Sequence, residues 1–173
     1  KTEDNLEKIL IFANNKKHAD LIFDKLNVEF PDEFGVIHSN KSQNFRLRVM
    51  QEFTNEELRG VITTDIMARG LDIPDVTHVI NFEIPEVPEQ YIHRIGRTGR
   101  AGNKGVAMTF ITPREFRQLK LIERVAKTRI IRKTLPTNAS VFEKQKDSLI
   151  ARMYAVLEQA KYSDYHPIVT ALQ

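Results

Sequence analysis

At 173 residues the chain has room for one ordinary domain and a short appendage, and 41% hydrophobic with 28% charged residues reads as globular rather than disordered. It holds no cysteine, which excludes disulfide frameworks and thiolate chemistry, and no apolar run approaches the roughly 20 residues of a membrane-spanning helix. A net charge of +3 is too small to establish nucleic-acid binding, so local clustering has to carry that argument. The opening "KTEDNLEK" lacks a signal-peptide core and an initiator methionine, so the expectation is a cytoplasmic protein of which this is a piece.

In chain order, "ILIFA" (9–13) reads as a buried strand and "NKKHADLIFDKL" as a helix, with Ala19, Leu21, Ile22 and Leu26 at helical spacing. "FGVIHS" is the next strand. "SQNFRLRVMQEF" follows as a helix, with Ser42 as N-cap and Phe45, Val49, Met50 and Phe53 on one face. "RGVITT" (59–64), "VTHVINFE" (76–83) and "GVAMTFIT" (105–112) supply three more strands, and Pro113 opens a further helix, "PREFRQLKLIERVAK". Phe116, Leu119, Ile122 and Val125 are expected to pack that helix on the sheet, and "TRIIRKTLP" to add a last edge strand. Strands alternating with helices predict an α/β fold, a parallel sheet with helices on both faces. The turn-rich "KTLPTNAS" (133–140) marks the expected boundary between a domain of about 1–134 and a helical extension of about 138–173.

Three stretches carry chemistry, and all are expected on one rim, beyond the carboxyl ends of the strands. In "TTDIMARGLD", Thr64 ends a strand, Gly70 follows an arginine in a tight turn, and Asp72 can accept from a hydroxyl such as that of a ribose. In "SQNFR", Gln43 and Arg46 lie three apart near a helix N-terminus, where amides and dipole favour phosphate. In "YIHRIGRTGRAG", Arg97 and Arg100 lie three apart between glycines that let an anion approach the backbone. Each has a plainer reading: a Thr-Thr strand end by β-propensity, a solvated face for Arg46, a structural role for His93, a turn cap for Asp72. Only "HRIGRTGR" is hard to explain as an ordinary basic turn.

Taken together, "HRIGRTGR" and "ARGLDIPDVTHVINFEIP" resemble the C-terminal half of a DEAD-box RNA helicase, a superfamily 2 motor built from two RecA-like domains. The resemblance runs from about Ile9 to Ile111: "ILIFANNKKHAD" is similar to motif IV, "HSNKSQNFR" to motif IVa, "TTDIMARGLD" to motif V and "HRIGRTGR" to motif VI. It implies a RecA-like fold, ATP with Mg as cofactor, and RNA and an N-terminal RecA-like domain as partners. Arg97 and Arg100 would be arginine fingers at the ATP γ-phosphate, in a catalytic group with His93. Asp72 and Gly70 would contact the nucleotide, Asp72 at the ribose or in the network around the attacking water. His93 and Arg94 would couple the cleft to the other domain. Gln43, Arg46, Thr64 and Gly70 would hold RNA phosphates and sugars.

No GxxxxGK[ST] loop and no DEAD tetrapeptide occurs in the chain, so by the resemblance it brings fingers without a phosphate cradle and should not hydrolyse ATP alone. Ser39 and Glu56 stand where the family commonly has turn glycines, and Gly60 falls inside a strand. The basic run 114–133 reads either as a solvated face or as an auxiliary RNA surface. The tail's apolar stripe reads as folding back on the domain, packing on a second copy or binding a partner, and its similarity to the start of the dimerisation region of bacterial cold-shock helicases implies a homodimer among these. Two other readings stay open, an ATP-independent RNA-binding and dimerisation module and a DNA helicase.

Overall fold

The computed structural model describes residues 8–70, 76–100, 102, 104–134, 146–147 and 150–151. Asp72 and nearly all of the helical extension therefore lie outside the described residues. The chain divides into two compact units, Lys1–Ile130 and Ile131–Gln173.

The first unit is built on five parallel strands: β1 (Ile9–Ala13), β2 (Phe34–Ile37), β3 (Gly60–Thr64), β4 (His78–Asn81) and β5 (Val106–Thr109), in the order β2-β3-β1-β4-β5. The central position of β1 explains its unbroken run "ILIFA", since a strand flanked on both edges and covered on both faces has no polar side. Among the described residues five α-helices connect and cover the strands: α1 (Lys16–Glu29), α2 (Gln43–Thr54), α3 (Asp65–Gly70), α4 (Pro88–Ile95) and α5 (Phe116–Val125). The parallel α/β architecture expected from the sequence is present.

Two apolar layers sandwich the sheet. On one face Leu10, Phe12, Val61 and Val79 meet Val49, Met50 and Phe53 of α2 and Ala68 of α3. On the other, Ile9, Ile11, Val36 and Ile62 meet Ala19 and Ile22 of α1. Asn15 caps α1 by accepting from the His18 amide at 3.0 Å, and Ser42 caps α2 by accepting from the Phe45 amide at 3.3 Å. Gly60 is not slack in its strand: an added Cβ would lie 2.5 Å from the Phe34 ring, so the neighbouring strand's aromatic occupies the missing side chain's space. Glu56 has a left-handed backbone, φ 65°, at the end of α2. Its amide bonds Phe53 O and that of Glu57 bonds Glu52 O, the paired 5→2 and 6→1 pattern of a Schellman turn in which glycine is preferred.

Two expectations fail here, and α3 and α4 are helices for which there was no expectation from the sequence. The stretch 128–134 forms no strand: Lys127 adopts φ 50° and the Ile130 amide donates to Glu123 at 2.9 Å, turning the chain back on α5 instead of along the sheet. Finally, α5 buries only Leu119 and Ile122, and it does so against Ile84 and Tyr91 of the α4 region, while Phe116 and Val125 stay exposed.

Candidate nucleotide and RNA interface

Arg94 is 1% exposed, the largest fully buried side chain of the described residues. Its position follows from α4, where Pro88, Tyr91 and Arg94 recur every three residues on the inward face. All five of its N–H donors are used. Nε and Nη2 grip the two Asp65 carboxylate oxygens at 2.7 and 2.6 Å. Nη1 donates to Glu83 O at 2.9 Å and Asn81 Oδ1 at 3.3 Å, and Nη2 also donates to Asn14 Oδ1 at 2.9 Å. The guanidinium lies 5.1 Å from the Phe12 ring centre. Asn81 continues the network by donating to Thr109 at 3.0 Å, and Thr109 bonds the Tyr91 hydroxyl, whose proton is held above its ordinary range mainly by burial.

Arg94 thus ties the ends of β1, β3 and β4 to α4, so a coupling of the cleft to a second domain through it would pass by the elements it pins. A lone arginine in a basic run gives no sign of burial, but its partners leave one. The chain places Asn14, Asp65 and Asn81 at or just after the ends of three strands, and the register Ala13↔Thr64 sets Asn14 level with Asp65.

Beyond Arg94 the chain leaves α4 and turns at Arg97–Arg100. The Val76 amide donates to Arg97 O at 3.1 Å, and the Thr98 hydroxyl bonds Val76 O and, at 3.1 Å, Thr77 O. Val76 and Thr77 precede β4, so this turn sits at the amino ends of the strands. The expectation of one shared rim is overturned, because α4 runs antiparallel to the strands and delivers its C-terminus to the opposite end. Gly99 has φ 71°, a conformation that disfavours any side chain, whereas Gly96 has an ordinary helical φ of −67°. A Cβ on Gly105 would strike Thr98, so the strand after the turn also packs tightly on it. Arg100 is exposed and its Nε donates to Gly96 O at 2.7 Å, against the C-terminal end of α4. Arg97 is half-buried and His93 exposed. Gly70 ends α3.

The carboxyl rim holds the other set. Ile37 pairs with Thr63, which brings the end of β2, and with it the start of α2, beside the end of β3. Gln43 is the exposed first residue of α2. Arg46, one turn on, is half-buried, with Nη1 3.3 Å from Met67 Sδ and a buried Nε lacking a protein partner. Thr64 is 9% exposed, so little of its side chain opens on the rim. Beside this set, buried His38 bonds Asp20 at 2.9 Å and Lys41 lies 3.0 Å from the same carboxylate. Desolvation opposes ionisation of Asp20, but those hydrogen bonds prevail and hold its carboxyl below the usual range. Among the described residues no group of three His, Asp or Glu could hold a metal ion.

The helicase conserved C-terminal domain model matches residues 2–102. The DEAD-box ATP-dependent RNA helicase CshA of Geobacillus kaustophilus is 44% identical over 159 residues, 92% of this chain and 34% of that protein. The C-terminal domain of the DEAD-box protein Dbp5 superposes with a TM-score of 0.64 at 36% identity, covering 69% of this chain and 70% of that one. S. cerevisiae Dbp5 bound to RNA and ADP BeF3 superposes with a TM-score of 0.68 at 32% identity, covering 85% of this chain and 38% of that one. The chain spans about a third of the length of the curated relatives it matches.

Proposed function

The chain belongs to the helicase conserved C-terminal domain family, in its DEAD-box branch, and from that premise we propose that it is the C-terminal RecA-like half of an ATP-dependent RNA helicase. One observation carries this reading: the turn Arg97–Arg100 is fixed from both sides, by Thr98 on the segment Val76–Thr77 that leads into β4 and by fully bonded Arg94 at its helical root. A cationic loop held that firmly needs little reorganisation when charge develops beside it.

In this role Arg97 and Arg100 stabilise the γ-phosphoryl group in its transition state, a contribution of roughly 10³–10⁵ in rate where arginine fingers act. Asp72 and Gly70 contact the nucleotide, and exposed His93 faces the second domain. Arg94 is a positioning residue and acts only through the turn it anchors. Gln43, Arg46 and Thr64, with Gly70, hold RNA sugar and phosphate, a backbone grip that tolerates sequence and weakens with salt. ATP and its Mg are held mainly by an N-terminal RecA-like domain, which supplies the phosphate loop. Duplex separation by the whole protein follows from these assignments, and its proposed place is the cytoplasm.

The test is RNA-stimulated ATP turnover by the full-length protein, its Arg97→Ala and Arg100→Ala variants, and this chain alone. The expected result is a loss of about a hundredfold or more in each variant with RNA binding retained, and no turnover by this chain alone. Undiminished turnover would leave an ATP-independent RNA-binding role for the turn.

A further inference from the structure

We propose that the solvent face of α5 is a second RNA-binding surface, which takes the backbone of RNA extending beyond the motif-bearing track, with Arg117 and Arg124 as its main contacts. The inference rests on the RNA reading above and adds a surface to it.

Between residues 114 and 130 six arginines and lysines face two carboxylates, Glu115 and Glu123. Both carboxylates are engaged within the chain. Glu115 accepts from the Thr112 amide at 2.6 Å and its hydroxyl at 2.8 Å, closing the turn into the helix. Glu123 accepts from the Ile130 amide at 2.9 Å and from Lys120 at 2.7 Å. Among the described residues neither Arg117 nor Arg124 has an ion-pair partner.

Helical geometry lines these charges up. Leu119 and Ile122 define the buried face, and Arg117, Lys120 and Arg124 fall at i, i+3 and i+7 on the opposite one. The stripe is about 10 Å long. Its start is pinned to the carboxyl side of the sheet, because Gln118 Nε2 donates to Pro85 O at 3.2 Å and Glu86 O at 2.6 Å, just past β4. Exposed Gln43, at the start of α2, lies on that same side. β2, which leads into α2, and β4, past which Gln118 is pinned, are three strand spacings apart, about 14 Å across the sheet. An RNA that outruns the first set can reach the second, and planar guanidinium groups suit phosphate oxygens in any sequence. Exposed Leu121 and Val125 flank the stripe and are what an acidic protein partner would use instead.

The experiment uses the full-length protein with Arg117→Glu/Arg124→Glu and, as a milder pair, Arg117→Gln/Arg124→Gln. Binding is followed by fluorescence anisotropy at several salt concentrations, with single-stranded RNAs of about eight and about thirty nucleotides. The long RNA should bind about tenfold more weakly in the reversal variant, with a salt slope shallower by roughly 1.4, two phosphate contacts' worth. Affinity for the short RNA, and ATP turnover saturated with it, should stay at wild-type values, and the glutamine pair should fall between. Equal long-RNA affinity in wild type and variants, with the short RNA still bound, overturns this proposal alone. So does an equal weakening of both RNAs, or a weakening confined to the binding of poly-glutamate. A wild-type protein that binds neither RNA overturns the helicase reading along with it.

Discussion

Arg94 and Glu56 show how far single residues depart from their local appearance. Arg94 sits in a basic run yet is the most completely buried charge among the described residues, with Asp65 as its bidentate partner. Lysine at this position would keep the charge but offer three donors where five are used, leaving acceptors at Asn14, Asn81 or Glu83 unmatched. Arg94→Lys should therefore cost about 3 kcal/mol in urea unfolding, and Arg94→Met combined with Asp65→Ala should cost clearly less than the sum of the single changes. Glu56 is the opposite case. Its departure from the family's turn glycine is visible in sequence, and the left-handed φ of 65° gives it a cost. Glu56→Gly should raise stability by about 0.5–1 kcal/mol, read as a higher urea midpoint at unchanged slope, since nothing but backbone strain is relieved.

At the scale of elements, the long helices were legible and the short ones were not. α1 and α2 run 14 and 12 residues, enough for an apolar stripe to repeat, and both begin at a capping side chain. α3 has 6 residues, too few for any period to register. α4 has 8, and its inward stripe of Pro88, Tyr91 and Arg94 ends in a charge, which a search for apolar spacing discards. The first residue of β4 provides a pH test. His78 is 6% exposed, and burial lowers its pKa from the ordinary 6.5 because the charged form is poorly solvated there. Between its folded value and 6.5 the unfolded chain binds the extra proton, so stability falls as pH drops below 6.5 and levels off below the folded value. Asp20, also lowered, adds a loss further into acid, below 3.8. Urea unfolding at several pH values should show the first decline in the wild type, and His78→Gln should flatten it.

For the whole molecule, one helix running antiparallel to the strands separates the two proposed sets of site residues. The carboxyl rim carries Gln43 and Thr64, while the Arg97–Arg100 turn is tied to Val76 at the amino ends. The nucleotide and RNA contacts proposed above therefore fall on opposite ends of the sheet and draw on different patches of charge. The helical extension of about 138–173 is proposed as a dimerisation segment. Sedimentation of the full-length protein should give a dimer, and removal of that segment a monomer with RNA-stimulated ATP turnover retained. A monomer in both cases would restrict the extension to a role within one chain.

By itself the amino-acid sequence determined the parallel α/β class, the five strands, the long helices and the order of its helicase-like motifs, because periodicity, caps and motif order are local properties of the chain. Only the tertiary structure decided which of the chain's charges are available. Arg94 is consumed by Asp65, Asn81, Asn14 and Glu83, residues 11 to 80 positions away in sequence, whereas Arg100 is left exposed. The ends of strands meet in register and not in sequence, so whether an arginine pins the fold or faces a ligand is settled by where the sheet brings its partners.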